Sequence, residues 1–125
     1  MIYEPESLEF HVLLIASDDW IQLADVVSTA HFDVGIEKGE PLFVAVQHCL
    51  SELLHQGFVL IGELNASGET DNTSLAFQAW TGSPESTIAR VIGEWRALGR
   101  WPDLNEICWL DLTSEGIEFA RALTK

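Results

Sequence analysis

The sequence predicts an α+β domain in which helices surround a small three-stranded antiparallel sheet, with an added helix between a hairpin and the third strand. Three observations predict it. Apolar residues recur at helical spacing after Pro41 and again after Pro84, two short apolar runs flank the polar stretch Asn65–Ser74, and a third apolar run covers Ile107–Leu112. At 125 residues and 47% apolar composition, residues 1–125 form one domain, large enough to bury a core without disulfide or metal support.

Leu8–Ala16 is apolar on every side, so it fits a buried helix capped by Ser7 or a strand alternating Leu8, Phe10, Val12 and Leu14; periodicity leaves both open. Asp18 reads as the N-cap of a helix running to about Ala30, with Trp20, Leu23, Ala24, Val27 and Ala30 on one face and Gln22, Asp25 and Thr29 opposite. Asp33–Glu40 is a loop containing Gly35 and Gly39. Pro41 then opens a helix with the stripe Leu42, Val46, Cys49, Leu50 and Leu53, and Gly57 closes it.

Phe58–Leu64 and Leu75–Trp80 are strands of a long-tipped hairpin. Ser83 caps the next helix, Pro84 is its first residue, Ile88, Val91, Ile92 and Trp95 form its apolar face, and Gly99 stands near its end. Ile107–Leu112 is the third strand, and Thr113 caps a last helix carrying Ile117, Phe119, Ala120 and Leu123. Cys49 and Cys108 lie on apolar segments and read as small buried hydrophobes rather than a disulfide.

The run Val46-Gln-His-Cys-Leu-Ser-Glu-Leu-Leu-His-Gln-Gly-Phe-Val-Leu-Ile-Gly-Glu63 resembles the third helix and first wing strand of winged-helix proteins. There, too, a helix ends at Gly and the chain turns directly into an apolar strand. Trp109-Leu-Asp-Leu-Thr-Ser-Glu-Gly116 is similar to the strand, Leu-Thr-x-x-Gly, helix element of bacterial winged-helix regulators. The two runs cover about a fifth of the chain and imply a winged-helix-like domain. Two features depart from that pattern: the long step from Ala30 to Pro41, and the helix after Ser83.

Charge sorts the function classes. Twenty Asp/Glu against six Lys/Arg give a net charge of −14. Residues 1–80 hold thirteen acids against one base, Lys38, a net of −12; residues 81–125 hold seven acids against five bases, a net of −2. Nucleic acids bind largely through Lys and Arg on phosphates, so most of this surface has the wrong sign. The outward face of the helix after Pro41 carries Val44, Gln47, His48, Ser51, Glu52 and His55, with no fixed positive charge to read bases. The same field attracts a basic protein.

The candidate partner-binding residues are Asp33, Glu37 and Glu40 in the loop, Glu52 on the helix, and Glu69 and Asp71 at the hairpin tip. Loops present charge where a partner reaches it. Arg90, Arg96 and Arg100 are the one basic cluster: Arg90 is placed to pair with Glu94, while Arg96 and Arg100 flank Trp95 and Trp101 and cover them with their stems or form a docking patch. His48, Glu52 and His55 share one helix face at ligand spacing, but no fourth ligand is evident, so no metal or cofactor is expected. Asp18-Asp19 reads as helix-start charge rather than a catalytic dyad, and no nucleophile elbow or phosphate-binding glycine loop occurs, so no enzyme is expected.

No basic leader region opens Met1-Ile-Tyr-Glu-Pro-Glu-Ser, and the longest apolar run is far too short for a membrane span, so a cytoplasmic protein is expected. In size and charge the chain resembles bacterial immunity and antitoxin proteins, which cover the active surface of a basic toxin, often a nuclease, with carboxylates. The alternative is a winged-helix transcriptional regulator, or one that has lost DNA binding. The charge map makes one outcome specific. Duplex DNA or RNA titrated against the domain at physiological salt should give no appreciable anisotropy change; a micromolar or tighter Kd with a steep salt slope would contradict it.

Overall fold

The computed structural model describes residues 3–66 and 75–123. Leu8–Ala16 is a helix, α1, begun by the Ser7 hydroxyl, which accepts from the Phe10 N–H at 3.2 Å. It turns Leu8, Val12, Leu13 and Ala16 into the core and leaves Ile15 outside.

The expected helix from Asp18 to Ala30 is instead divided. Ile21–Gln22 is an extended pair, β1, and the helix α2 covers only Leu23–Ser28 before widening into a π turn over Thr29–Asp33. A carboxylate three residues inside the helix decides the start: Asp25 Oδ2 accepts from the Gln22 N–H at 3.0 Å, satisfying one otherwise orphan donor. Asp18 therefore caps nothing, and Asp19 serves the neighbouring Trp20 N–H at 2.7 Å. In the π turn the Val34 N–H reaches the Thr29 carbonyl at 3.0 Å. Thr29, expected on the outer face, is buried there, while Phe32 is left 73% exposed.

Gly39 and Pro41 open α3, Glu40–His55, and the predicted stripe of Leu42, Val46, Cys49, Leu50 and Leu53 is buried. Gly57 (φ +75°) reverses the chain, with the Phe58 N–H on the Leu53 carbonyl at 3.0 Å. β2, Val59–Ala66, and β3, Leu75–Ala79, run antiparallel with Gly62 opposite Ala79; the hairpin tip lies outside the described residues. Helix α4, Pro84–Leu98, is capped by Ser83, whose hydroxyl accepts from Ser86 N at 3.1 Å, and ends at left-handed Gly99. Its residues Ile88, Val91, Ile92 and Trp95 are buried, and Trp95 packs on Phe43 with ring centroids 4.1 Å apart.

The third predicted strand is shorter than expected: β4 is Trp109–Leu112, and Ile107 adopts a left-handed backbone (φ 72°) outside the extended region of a strand. β4 pairs antiparallel with β2 on one side and with β1 on the other, so the sheet has four strands in the order β1-β4-β2-β3 rather than three. The unforeseen strand is the two-residue piece hidden inside the predicted helix. The last helix, α5, is Ser114–Leu123. Cys49 and Cys108 are both buried free thiols, and burial raises the Cys108 thiol to about 12. No helix among the described residues is long and apolar enough to cross a membrane.

The Leu-Thr-x-x-Gly run has a physical explanation. The Thr113 hydroxyl donates to the Gly57 carbonyl at 2.6 Å, the Thr113 N–H donates to the Phe58 carbonyl at 3.0 Å, and the Gly116 N–H donates to the Thr113 hydroxyl oxygen at 3.0 Å. Gly116 thereby lies so close to Phe58 that a Cβ there would overlap the Phe58 carbonyl oxygen. Gly116→Ala should consequently cost about 1–3 kcal/mol by overpacking, despite the helix propensity it adds. Gly93→Ala on the open side of α4, where a Cβ meets nothing, should instead stabilise by up to about 1 kcal/mol. Urea midpoints of the two variants against the parent check both signs.

Candidate functional site

The site is defined by which charges the fold neutralises. The Arg90 Nε lies 2.9 Å from Glu94, and its guanidinium stacks 3.5 Å over the Trp80 ring. Arg96 holds Glu40 through both terminal nitrogens at 3.0 and 2.8 Å and lies over Phe43 at 4.3 Å. Arg100 makes the same fork with Glu106, 2.8 Å on each side, and donates to the Trp101 carbonyl at 3.0 Å. Its guanidinium pulls the Glu106 carboxyl down to about 2, and Arg96 lowers Glu40 in the same way. The ring faces covered by Arg90 and Arg96 are therefore Trp80 and Phe43, not Trp95.

Between α3 and α4 lies a groove of about 440 Å³ walled by Leu42, Phe43, Trp95 and Trp101, with Lys38 over Trp101 at 5.5 Å. Its arginines are already held by carboxylates of the same chain. The basic cluster is thus spent on internal partners.

The six predicted partner-binding residues do not converge. Asp33 and Glu37 are exposed, and neither makes an ion pair among the described residues. Glu40 is committed to Arg96. Glu52, expected to be exposed, is half-buried because it accepts the Tyr3 hydroxyl at 2.9 Å and the Gln56 amide at 3.3 Å. Glu69 and Asp71 lie outside the described residues. The face of His48, Glu52 and His55 is also split: His55 Nδ1 lies 2.8 Å from the Ser51 carbonyl and its Nε2 lies 2.7 Å from Glu85. No group of three or more metal-ligating side chains occurs among the described residues.

Five aspartates, of which Asp18 and Asp19 read in the sequence as helix-start charges and Asp33 as a partner-binding residue, line two surface clefts around the α1–β1 turn. One, of about 400 Å³, is lined by the apolar side chains of Ile15, Ile21 and Phe32 and by the carboxylates of Asp25 and Asp33. The other, of about 200 Å³, places Asp18, Asp19 and Asp111 beside Trp20 and Ile117. None of these five aspartates is paired with a cation among the described residues. Asp111 arrives from β4, over ninety positions away in sequence, and Phe32 reaches the surface through the π turn. The only local signal was the Asp18-Asp19-Trp20 triplet.

No family model matches the chain, and no curated protein or solved structure matches it.

The Ser51 carbonyl, followed by Glu85, holds the His55 proton, so His55 titrates above its ordinary value and Glu85 below its own. A raised folded-state value means that this contact supports the fold fully below the unfolded pKa of about 6.5 and is lost as pH rises through the folded value. His55 ring resonances followed by NMR should titrate above that reference, and Glu85→Gln should move the midpoint back toward it.

Proposed function

We propose that the domain is an acidic protein-binding module whose partner is a basic protein, in the manner of a cytoplasmic immunity or antitoxin protein that covers a basic, nuclease-like toxin. One observation carries this reading. Arg90, Arg96 and Arg100 are consumed by Glu94, Glu40 and Glu106, whereas the carboxylates of the α1–β1 turn and the 33–37 loop have no cation of their own among the described residues. A surface that uses its cations internally and leaves its anions to solvent has a field of one sign to offer. It also sets exposed apolar side chains, Phe32, Ile15 and Ile117, among those anions. Apolar anchors within a charged rim are the usual composition of a protein interface.

The winged-helix-like reading is supported by the order α3, Gly57, β2–β3 hairpin, and by the strand, Leu-Thr-x-x-Gly, helix junction at its end. The exposed part of α3 presents Val44, Gln47 and His48, with no Lys or Arg to contact phosphate, which favours partner binding over DNA reading.

The test is co-purification of the tagged chain from its native host, followed by association kinetics with the protein recovered. Electrostatic steering predicts an on-rate that falls steeply with salt while the off-rate changes little. Asp18, Asp33 and Glu37 are exposed and carry no hydrogen bond or ion pair among the described residues, so reversing all three to Lys should slow association about tenfold or more at low salt. The melting temperature should stay near that of the parent, since lone surface charges contribute little to folding. A salt-insensitive on-rate, or a partner that is itself acidic, overturns the reading.

A further inference from the structure

We propose that the cleft between the end of α1 and the π turn is the socket for an arginine side chain of the basic partner, an assignment that rests on the function proposed above. The cleft, of about 400 Å³, is lined by the apolar side chains of Ile15, Ile21 and Phe32 together with Ser28, Thr29 and the carboxylates of Asp25 and Asp33. Ile15 and Ile21 offer a wall for an aliphatic stem, and both belong to the segment on either side of the α1–β1 turn. Phe32 also lines the cleft. It is 73% exposed, the largest exposure among the chain's big apolar side chains that the structure describes, and its ring lies 4.8 Å from His31 and 6.1 Å from Trp101, centroid to centroid. An exposed phenyl face attracts a guanidinium and gains more from it than from water.

Asp33 follows Phe32 directly, and Asp25, one α-helical and one π turn earlier, lines the same cleft. Asp25 uses Oδ2 for the Gln22 N–H, and neither aspartate meets a cation of this chain among the described residues.

Stem, ring and carboxylate requirements select the occupant. A lysine would satisfy the carboxylates as a point charge, but the planar guanidinium alone both stacks on a ring and forks to a carboxylate. An anion is excluded by the sign of the rim, and a purely apolar side chain would leave Asp33 facing it without gain. The chain itself uses the same pairing elsewhere: Arg96 lies on Phe43 while forking to Glu40. The cleft offers the same pair of partners, a phenyl ring and carboxylates.

The probe is N-acetyl-arginine N-methylamide, titrated into the full chain and followed by backbone amide shifts, with the uncharged citrulline analogue alongside. Shifts should cluster at Ile15, Ile21 and residues 25–33, and the citrulline analogue should leave them unmoved. Phe32→Ala and Asp33→Asn should each weaken binding about two- to fivefold, as expected for an exposed ring–cation contact and an exposed ion pair. Both residues are exposed, so spectra of the variants should keep the parent dispersion and midpoint. Shifts spread over all the carboxylates, or a Phe32→Ala variant that binds as the parent does, overturn the socket. In the complex with the recovered partner, full affinity retained by the Phe32→Ala, Asp33→Asn double variant overturns the socket alone and leaves the wider function standing. A domain that recruits no basic protein overturns both.

Discussion

Four segments meet at one short stretch of backbone, and the arrangement of the domain depends on it. Gly57 and Phe58 end α3 and begin β2, and their two carbonyls are taken by the hydroxyl and the N–H of Thr113, which ends β4 and begins α5. Gly116 then allows the first turn of α5 to rest on the Phe58 backbone. Two chain reversals thus satisfy one another's polar groups directly. Phe58 and Phe119 stack at 4.5 Å beside this junction, and Tyr3 adds its edge to Phe119 at 5.5 Å, so the N-terminal segment is tied to the same point.

How much of this was legible in the sequence depended on whether the deciding contact was local. α3 and α4 could be read nearly to the residue, since a proline start, an apolar stripe at helical spacing and a terminal glycine all lie within one segment. Ser83 and Thr113 were readable as caps for the same reason. Leu8–Ala16 was ambiguous because a segment apolar nearly all round carries no period, and its contacts against α3 and α5 go with a helix. The segment 18–30 was misjudged since β1 exists only by pairing with β4, almost ninety residues later. Asp25, taken as an outward-facing charge, is what starts the helix.

The candidate site shows the same division. Net charge and its concentration in the first eighty residues were legible, and so was the exposure of Asp33 and Glu37. Which carboxylates remain available was not, because that depends on where three arginines of α4 and the following turn reach. Glu40 and Arg96 are 56 positions apart and Tyr3 and Glu52 are 49 apart, so neither pairing leaves a mark in local sequence. The aspartates of the α1–β1 turn looked like helix-start charges and acquired a different meaning once the helix was found to begin later.

The two-residue strand β1 also bears on how copies of this chain behave toward each other. It covers the outer side of β4, closing one margin of the sheet with a piece too short to recruit another strand. β3 is left as the margin where a neighbouring chain has backbone groups to join. Repulsion between molecules of charge −14 adds protection there. Such protection works at long range in dilute salt and fades once the Debye length shrinks to a few ångströms. Concentrated salt, or acid that neutralises the carboxylates, therefore lets separate molecules approach more closely at every face, the β3 margin included.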